Sequence, residues 1–180
     1  VLPDYYPVAL FKDGVAVRNY QQPVADIDVT DFVKKQPDDV TRWTRNAKGY
    51  SLQWPDDDEP ETIEASAERP KIFPAGHKLN DYWKRLSGGG NTAMGGDVSV
   101  AVSNGYRFFS DGRFSTDSAV SSSAPGVFAG STGDDGGTYT LNGSMLVLSY
   151  GSGKVKRMSI YYGGELNDPV LWLGGDSFTN

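Results

Sequence analysis

Asx-Gly dipeptides punctuate the chain, among them Asp13-Gly14, Asn104-Gly105, Asp111-Gly112 and Asn142-Gly143. Such pairs suit two-residue hairpin turns, because glycine adopts positive φ at no steric cost and Asn and Asp bond their own backbone. Between them lie short β-rich stretches, 98–103, 106–110, 113–116, 138–141, 145–150, 154–162 and 170–173. The first part adds 6–12, 15–20, 40–45, 50–54 and 62–67, and 78–86 lies between the two groups. Strands this frequent predict a mainly β fold, an antiparallel meander barrel of about 8–10 strands.

One segment departs from this pattern. Asp28 and Thr30 are cap-type residues, Asp31 is an early acid, Lys34 and Lys35 come late, and Pro37 follows. These signals predict one short helix over 29–36, covering a barrel end or packing on its side. The Ser/Gly-rich stretches 87–97 and 115–137 read as surface loops, the longer one lying over the barrel mouth.

The chain also aligns with itself. Displaced by about a hundred positions, Phe11-Lys-Asp-Gly14 falls on Phe109-Ser-Asp-Gly112. Residues 42–54 fall on 138–150, with Trp43 on Tyr139, Asn46 on Asn142, Leu52 on Leu148 and Trp54 on Tyr150. The expected organisation is a single domain over 1–180 with two similar halves, 5–67 and 98–163. The period of two, with Tyr139 opposite Leu146, puts Tyr139, Leu141, Leu146, Leu148 and Tyr150 on one face. The corresponding face of the first half holds Trp43, Tyr50, Leu52 and Trp54, with Arg45 among them. Trp43, Tyr50, Trp54, Trp83, Tyr139 and Tyr150 are therefore the candidate ligand-lining residues.

This meander of hairpins with an aromatic inward face resembles the lipocalin-like, calycin-type β-barrels. The likeness is one of fold and covers most of the chain. Asn80-Asp-Tyr-Trp83 stands where that family's G-x-W would be, without the glycine and in mid-chain.

Chemistry is narrowed by what the chain lacks. It has no cysteine and one histidine, His77, which removes thiolate and multi-histidine metal sites. Residues 1–69 carry 14 acidic against 8 basic side chains, and residues 70–180 carry 9 of each. No basic face for a nucleic acid emerges, and no run is long and apolar enough for membrane insertion by a helix. G-x-S-x-G is absent, and the glycine run at 88–93 precedes a β-type segment rather than a helix, against a dinucleotide site. The acidic run Asp56–Glu59 reads as a solvated turn. No catalytic residue, metal ligand or cofactor is assigned.

The expectation is a non-enzymatic binding domain for a small apolar or aromatic molecule or a carbohydrate. The thiol-free, Gly/Ser/Tyr-rich composition leans to a secreted or surface setting. A structural module with a protein partner is the second reading. The third is a lyase or isomerase using Tyr50, Tyr139, Arg45, Arg107 and His77.

Overall fold

The computed structural model of the chain describes residues 6–90, 99–124, 127–166 and 168–180. Side chains are described for these except at 86–90, 99–101, 120–124, 127–134 and 168. The fold is mainly β, with antiparallel strands in two sheets and one α-helix. The first is a curled half-barrel of β1 (Ala9–Leu10), β2 (Val15–Val17), β3 (Val40–Arg45), β4 (Gly49–Leu52) and β5 (Glu61–Glu64), each paired with the next. The second runs in strict sequence order through β6 (Tyr82–Gly90), β7 (Ser99–Phe108), β8 (Arg113–Ala124), β9 (Val127–Asn142), β10 (Met145–Tyr150), β11 (Val155–Glu165), β12 (Asp168–Leu173) and β13 (Asp176–Phe178). Lys84 and Thr179 then exchange backbone hydrogen bonds of 2.8 and 3.1 Å, so this eight-stranded sheet is a nearly closed barrel.

Turn chemistry sets the hairpins. Asp13 and Asp111 each accept a bond from the backbone amide two residues on, at Val15 and Arg113. Gly14 and Gly112 take φ values of 86° and 90°. The two meanders also pair in matching register. Leu10↔Ala16, Ala16↔Thr41, Trp43↔Leu52 and Tyr50↔Ile63 in the first sheet stand where Phe108↔Phe114, Phe114↔Gly137, Tyr139↔Leu148 and Leu146↔Met158 stand in the second. The Trp43 indole donates to Phe11 O at 2.9 Å, as the Tyr139 hydroxyl does to Phe109 O at 3.1 Å. The second sheet alone adds β6, β12 and β13.

Three local expectations change. Tyr139 faces Leu148, not Leu146, because the Asn142–Met145 turn pairs its own two flanking residues. A slip of two residues keeps every side chain on its face, so the inward set survives. Asn104-Gly105 is no turn but lies inside β7. Tyr82, from β6, lies across the bare Gly105 backbone and donates to Asp117 on β8 at 2.9 Å. Finally, the Ser/Gly stretch 115–137 pairs as a long β8–β9 hairpin, from Arg113↔Thr138 to Ala124↔Val127. Residues 87–90 continue β6, while 91–98 lie outside the described residues. Backbone groups alone build such a ladder, which explains why an apolar period is missing there.

The helix α1 (Val29–Lys35) forms as its signals predict. The Asp28 carboxylate accepts from the Thr30 and Asp31 amides at 2.9 and 3.2 Å, and Lys35 pairs with Asp31 at 2.7 Å. It buries Phe32 on the outer face of the first sheet, with Ala9, Val15, Val17 and Tyr20, against Tyr161 from the barrel. Ser159 N to Gln21 O at 2.9 Å and Arg157 to Asp26 at 2.8 Å join the two sheets further.

Inside the barrel, Phe108, Phe114, Leu146, Leu148, Ile160 and Leu171 form a close-packed core with further side chains. One end is sealed by the connector between the sheets. Phe73 and Leu79 drop into the core, Lys71 exchanges backbone bonds with Tyr162 at 2.7 and 2.9 Å, and His77 stacks on Phe73 at 4.9 Å. The Tyr139 hydroxyl bonds Leu79 O at 3.0 Å and holds that plug down.

A Cβ on Gly105 would collide with Asp117 and approach the Tyr82 ring at 2.6–2.7 Å. Gly105→Ala should therefore cost about 1–3 kcal/mol in urea unfolding. Gly151→Ala, whose Cβ would meet only Gly136 O at 3.7 Å, should stay within about 0.5 kcal/mol. Equal effects would contradict the packing of Tyr82 over Gly105.

Candidate functional site

Opposite the plug, the inward-facing row changes character. Cross-strand partners share a face, so the buried Leu146 and Leu148 fix the parity around the barrel. One step beyond the core, the inward positions are Arg85 on β6, Asn104 and Tyr106 on β7, Thr116 on β8, Tyr150 on β10, Lys156 on β11 and Asp176 on β13. Each of these side chains is half-buried. Together they form a row of hydroxyls and charges at the barrel end away from the plug, over an aromatic floor.

The floor is built from rings at ordinary contact distances. Tyr106 meets Phe178 edge-on at 5.6 Å and lies parallel to Phe108 at 6.0 Å, and Tyr150 meets Phe114 edge-on at 5.1 Å. Trp83 sits below, 3% exposed, and its indole N–H has no hydrogen-bond partner among the described residues. A buried donor without an acceptor is costly and uncommon.

The rim is electrostatically coupled. Arg85 and Asp176 pair at 2.8 Å, and Lys154 lies 5.7 Å from the Tyr150 ring centre. Burial pushes the Tyr106 phenol up to about 12, with Tyr150 and Asp176 adding to it. The Tyr150 phenol is raised by burial, then by Asp135. The Lys156 amine is lowered by burial and by Lys154, against the opposing pull of Asp176. These mutual influences put Tyr106, Tyr150, Lys156 and Asp176 in one neighbourhood. Beyond it, β9 pairs with β8 alone over 127–135, so β6–β9 overhang one side of the mouth.

The six aromatic residues expected to line a ligand divide between the sheets. Tyr150 reaches the mouth, Trp83 forms its floor, and Tyr139 lies deeper with its hydroxyl bound to the backbone. Trp43 and Tyr50 meet at 5.4 Å on the first sheet, half-buried. Trp54, 1% exposed, donates to Glu61 at 2.9 Å and carries Arg18 over its ring at 4.6 Å. Arg18 bonds Asp39 at 3.1 Å and also Asp56, with Asp57 at 3.7 Å, so two solvent-exposed carboxylates of the acidic run neutralise one buried guanidinium. Burial would lower the Arg18 pKa, but Asp56 and Asp39 hold it above its ordinary value. Tyr6 completes this clamp on Glu61 at 3.2 Å.

Other groups are separate or already engaged. Arg107 stacks over Tyr82 outside the barrel, His77 lies at the plug, and Arg45 faces Tyr50 on the first sheet, so the five residues considered for proton abstraction do not converge. A recess of about 480 Å³ beside α1 is lined by Asp26, Asp28 and Asp31. Those carboxylates are taken by Arg157, the helix cap and Lys35.

Arg85, Tyr106, Lys156 and Asp176 were not singled out by sequence reasoning, although a signal exists. Each stands two positions from an inward apolar residue, Trp83, Phe108, Met158 and Phe178 respectively. A polar residue ending an apolar alternation marks where a barrel interior meets water. Comparisons with protein-family models, curated proteins and solved structures found no match for this chain.

An amine whose folded-state pKa lies below its unfolded value opposes folding while protonated. That penalty is present at neutral pH and vanishes as the pH rises past the folded-state value towards 10.5. Lys156→Met should therefore raise the urea midpoint at pH 7, with an advantage that narrows as the pH is raised to 10.5. A variant less stable than wild type at pH 7 would contradict the burial of this amine.

Proposed function

We propose that this protein is a non-enzymatic binding domain that takes a small apolar or aromatic molecule at the open end of its barrel. One observation carries the reading: the two ends of the barrel differ. Phe73 and Leu79 seal one end, while the other presents half-buried Tyr106, Tyr150, Lys156 and Asp176 above Phe108, Phe178 and Trp83. Small-molecule sites combine an apolar lining with a few convergent polar groups and perturbed pKa values in this way. The close packing below the mouth favours a ligand seated at the rim over one enclosed in the barrel.

The lipocalin-like comparison and the internal repeat belong to the same reading. In its favour stand the shared pairing registers of β1–β5 and β7–β11 and the matched Trp43–Phe11 and Tyr139–Phe109 bonds. On this view the second copy acquired β6, β12 and β13, and with them closure and a mouth. The first copy instead serves as a buttress, held by the Arg18–Trp54–Glu61 clamp. The thiol-free composition suits a secreted or surface setting.

A second reading, an interaction module, draws on the β9 edge. Over 127–135 it pairs with β8 but with no strand on its other side among the described residues, an arrangement open to strand addition.

Tryptophan fluorescence titrated with a panel of aromatic, aliphatic and oligosaccharide ligands tests the first reading. At least one apolar or aromatic member should shift the emission, and Tyr106→Ala should weaken it about tenfold or more. Trp43→Ala should leave the affinity unchanged. Loss of binding in the Trp43 variant but not in the Tyr106 variant would move the site to the first sheet. No response to any member, with oligomers seen by light scattering, would favour the interaction module.

A further inference from the structure

We propose that the barrel mouth selects ligands that join an aromatic body to an anionic group, a carboxylate in the simplest case, with Lys156 as the charge partner. The proposal rests on the mouth being the binding site and specifies what it takes. Lys156 points inward because it pairs with Leu148, whose side chain is fully buried. It is half-buried, yet it makes no ion pair or hydrogen bond among the described residues. Arg85, its neighbour across Asp176, is already paired with that carboxylate. The amine therefore pays for partial desolvation without a counter-ion of its own.

The local charge balance points the same way. Among the described side chains, Arg85, Lys154 and Lys156 stand around the rim against Asp135 and Asp176, an excess of one positive charge in a chain whose formal net charge is −6. A single carboxylate would neutralise it. The walls are flat rings, Tyr106 and Tyr150, placed to meet an aromatic body by edge or face. The unpartnered Trp83 N–H on the floor is a second, independent sign of a missing acceptor. A ligand heteroatom reaching the floor would satisfy it, while the carboxylate remains at the rim with Lys156. The lowered Lys156 pKa has the same cause, a half-buried ammonium beside Lys154, and a bound anion would offset it.

The test compares 2-naphthoate with 2-naphthamide, equal in shape and different in charge, by isothermal titration calorimetry at pH 7. Wild-type protein should bind the carboxylate about 10- to 100-fold more tightly, the range of a charge-assisted hydrogen bond. Lys156→Met should erase that preference, with the loss falling mainly on the carboxylate, while Lys156→Arg should retain it. Equal affinities for the two probes in wild type would overturn the anion selectivity and leave the mouth as a site. Unchanged preference in Lys156→Met would overturn the role of this lysine. Failure of both probes to bind would overturn the selectivity together with the reading beneath it. Should Lys156→Met not fold, the wild-type pair and Lys156→Arg decide the matter between them.

Discussion

Closing a sheet of eight strands leaves an interior just wide enough for side chains to fill, and the Lys84–Thr179 backbone pair imposes that condition on the second sheet. Every strand must then alternate, one residue in and one out. The inward residues of the middle rows have to be apolar and of matching volume, as Phe108, Phe114, Leu146, Leu148, Ile160 and Leu171 are. Freedom of composition exists only at the two ends. At one end the chain covers its own core with Phe73 and Leu79 on the way in from the first sheet. At the other it places two tyrosines, a lysine, an arginine and an aspartate at the very positions that alternation turns inward.

The first sheet shows what the same pairing does without closure. Its inward face carries Leu10, Trp43, Tyr50, Leu52 and Ile63, the counterparts of core residues in the barrel, yet several stay half-exposed. Stability there is drawn from elsewhere. Helix α1 covers the outer face, and Arg18 on Trp54 with its carboxylates fixes the end of the sheet. A buried guanidinium is tolerable only when it is matched this fully. The contrast with Lys156 is instructive: one buried cation is surrounded by carboxylates and acts as structure, the other is left without its own and is the candidate for binding.

Much of the fold was legible in the chain. Asp13-Gly14, Asp111-Gly112 and Asn142-Gly143 mark turns because their chemistry is local, and the α1 boundaries follow from Asp28 and Pro37 for the same reason. Asn104-Gly105 has identical local chemistry, but there Gly105 serves the approach of Tyr82 from a neighbouring strand, which no local window contains. The Ser/Gly run after Arg113 misled for a related reason, since its strand state is enforced by backbone pairing with β7 and β9 rather than by apolar side chains. As for the site, the aromatic residues Trp83 and Tyr150 were visible as the apolar half of the alternation. Arg85, Lys156 and Asp176 were not, because their meaning comes from the barrel end they share.

Binding at the mouth leaves a residue-by-residue signature in two-dimensional amide NMR of uniformly labelled protein titrated with 2-naphthoate. Shifts should be confined to the neighbourhood of Arg85, Tyr106, Tyr150, Lys156 and Asp176, with the Trp83 indole proton moving as well. Shifts gathered instead around Trp43 and Tyr50 on the first sheet, or none at saturating probe, would contradict it.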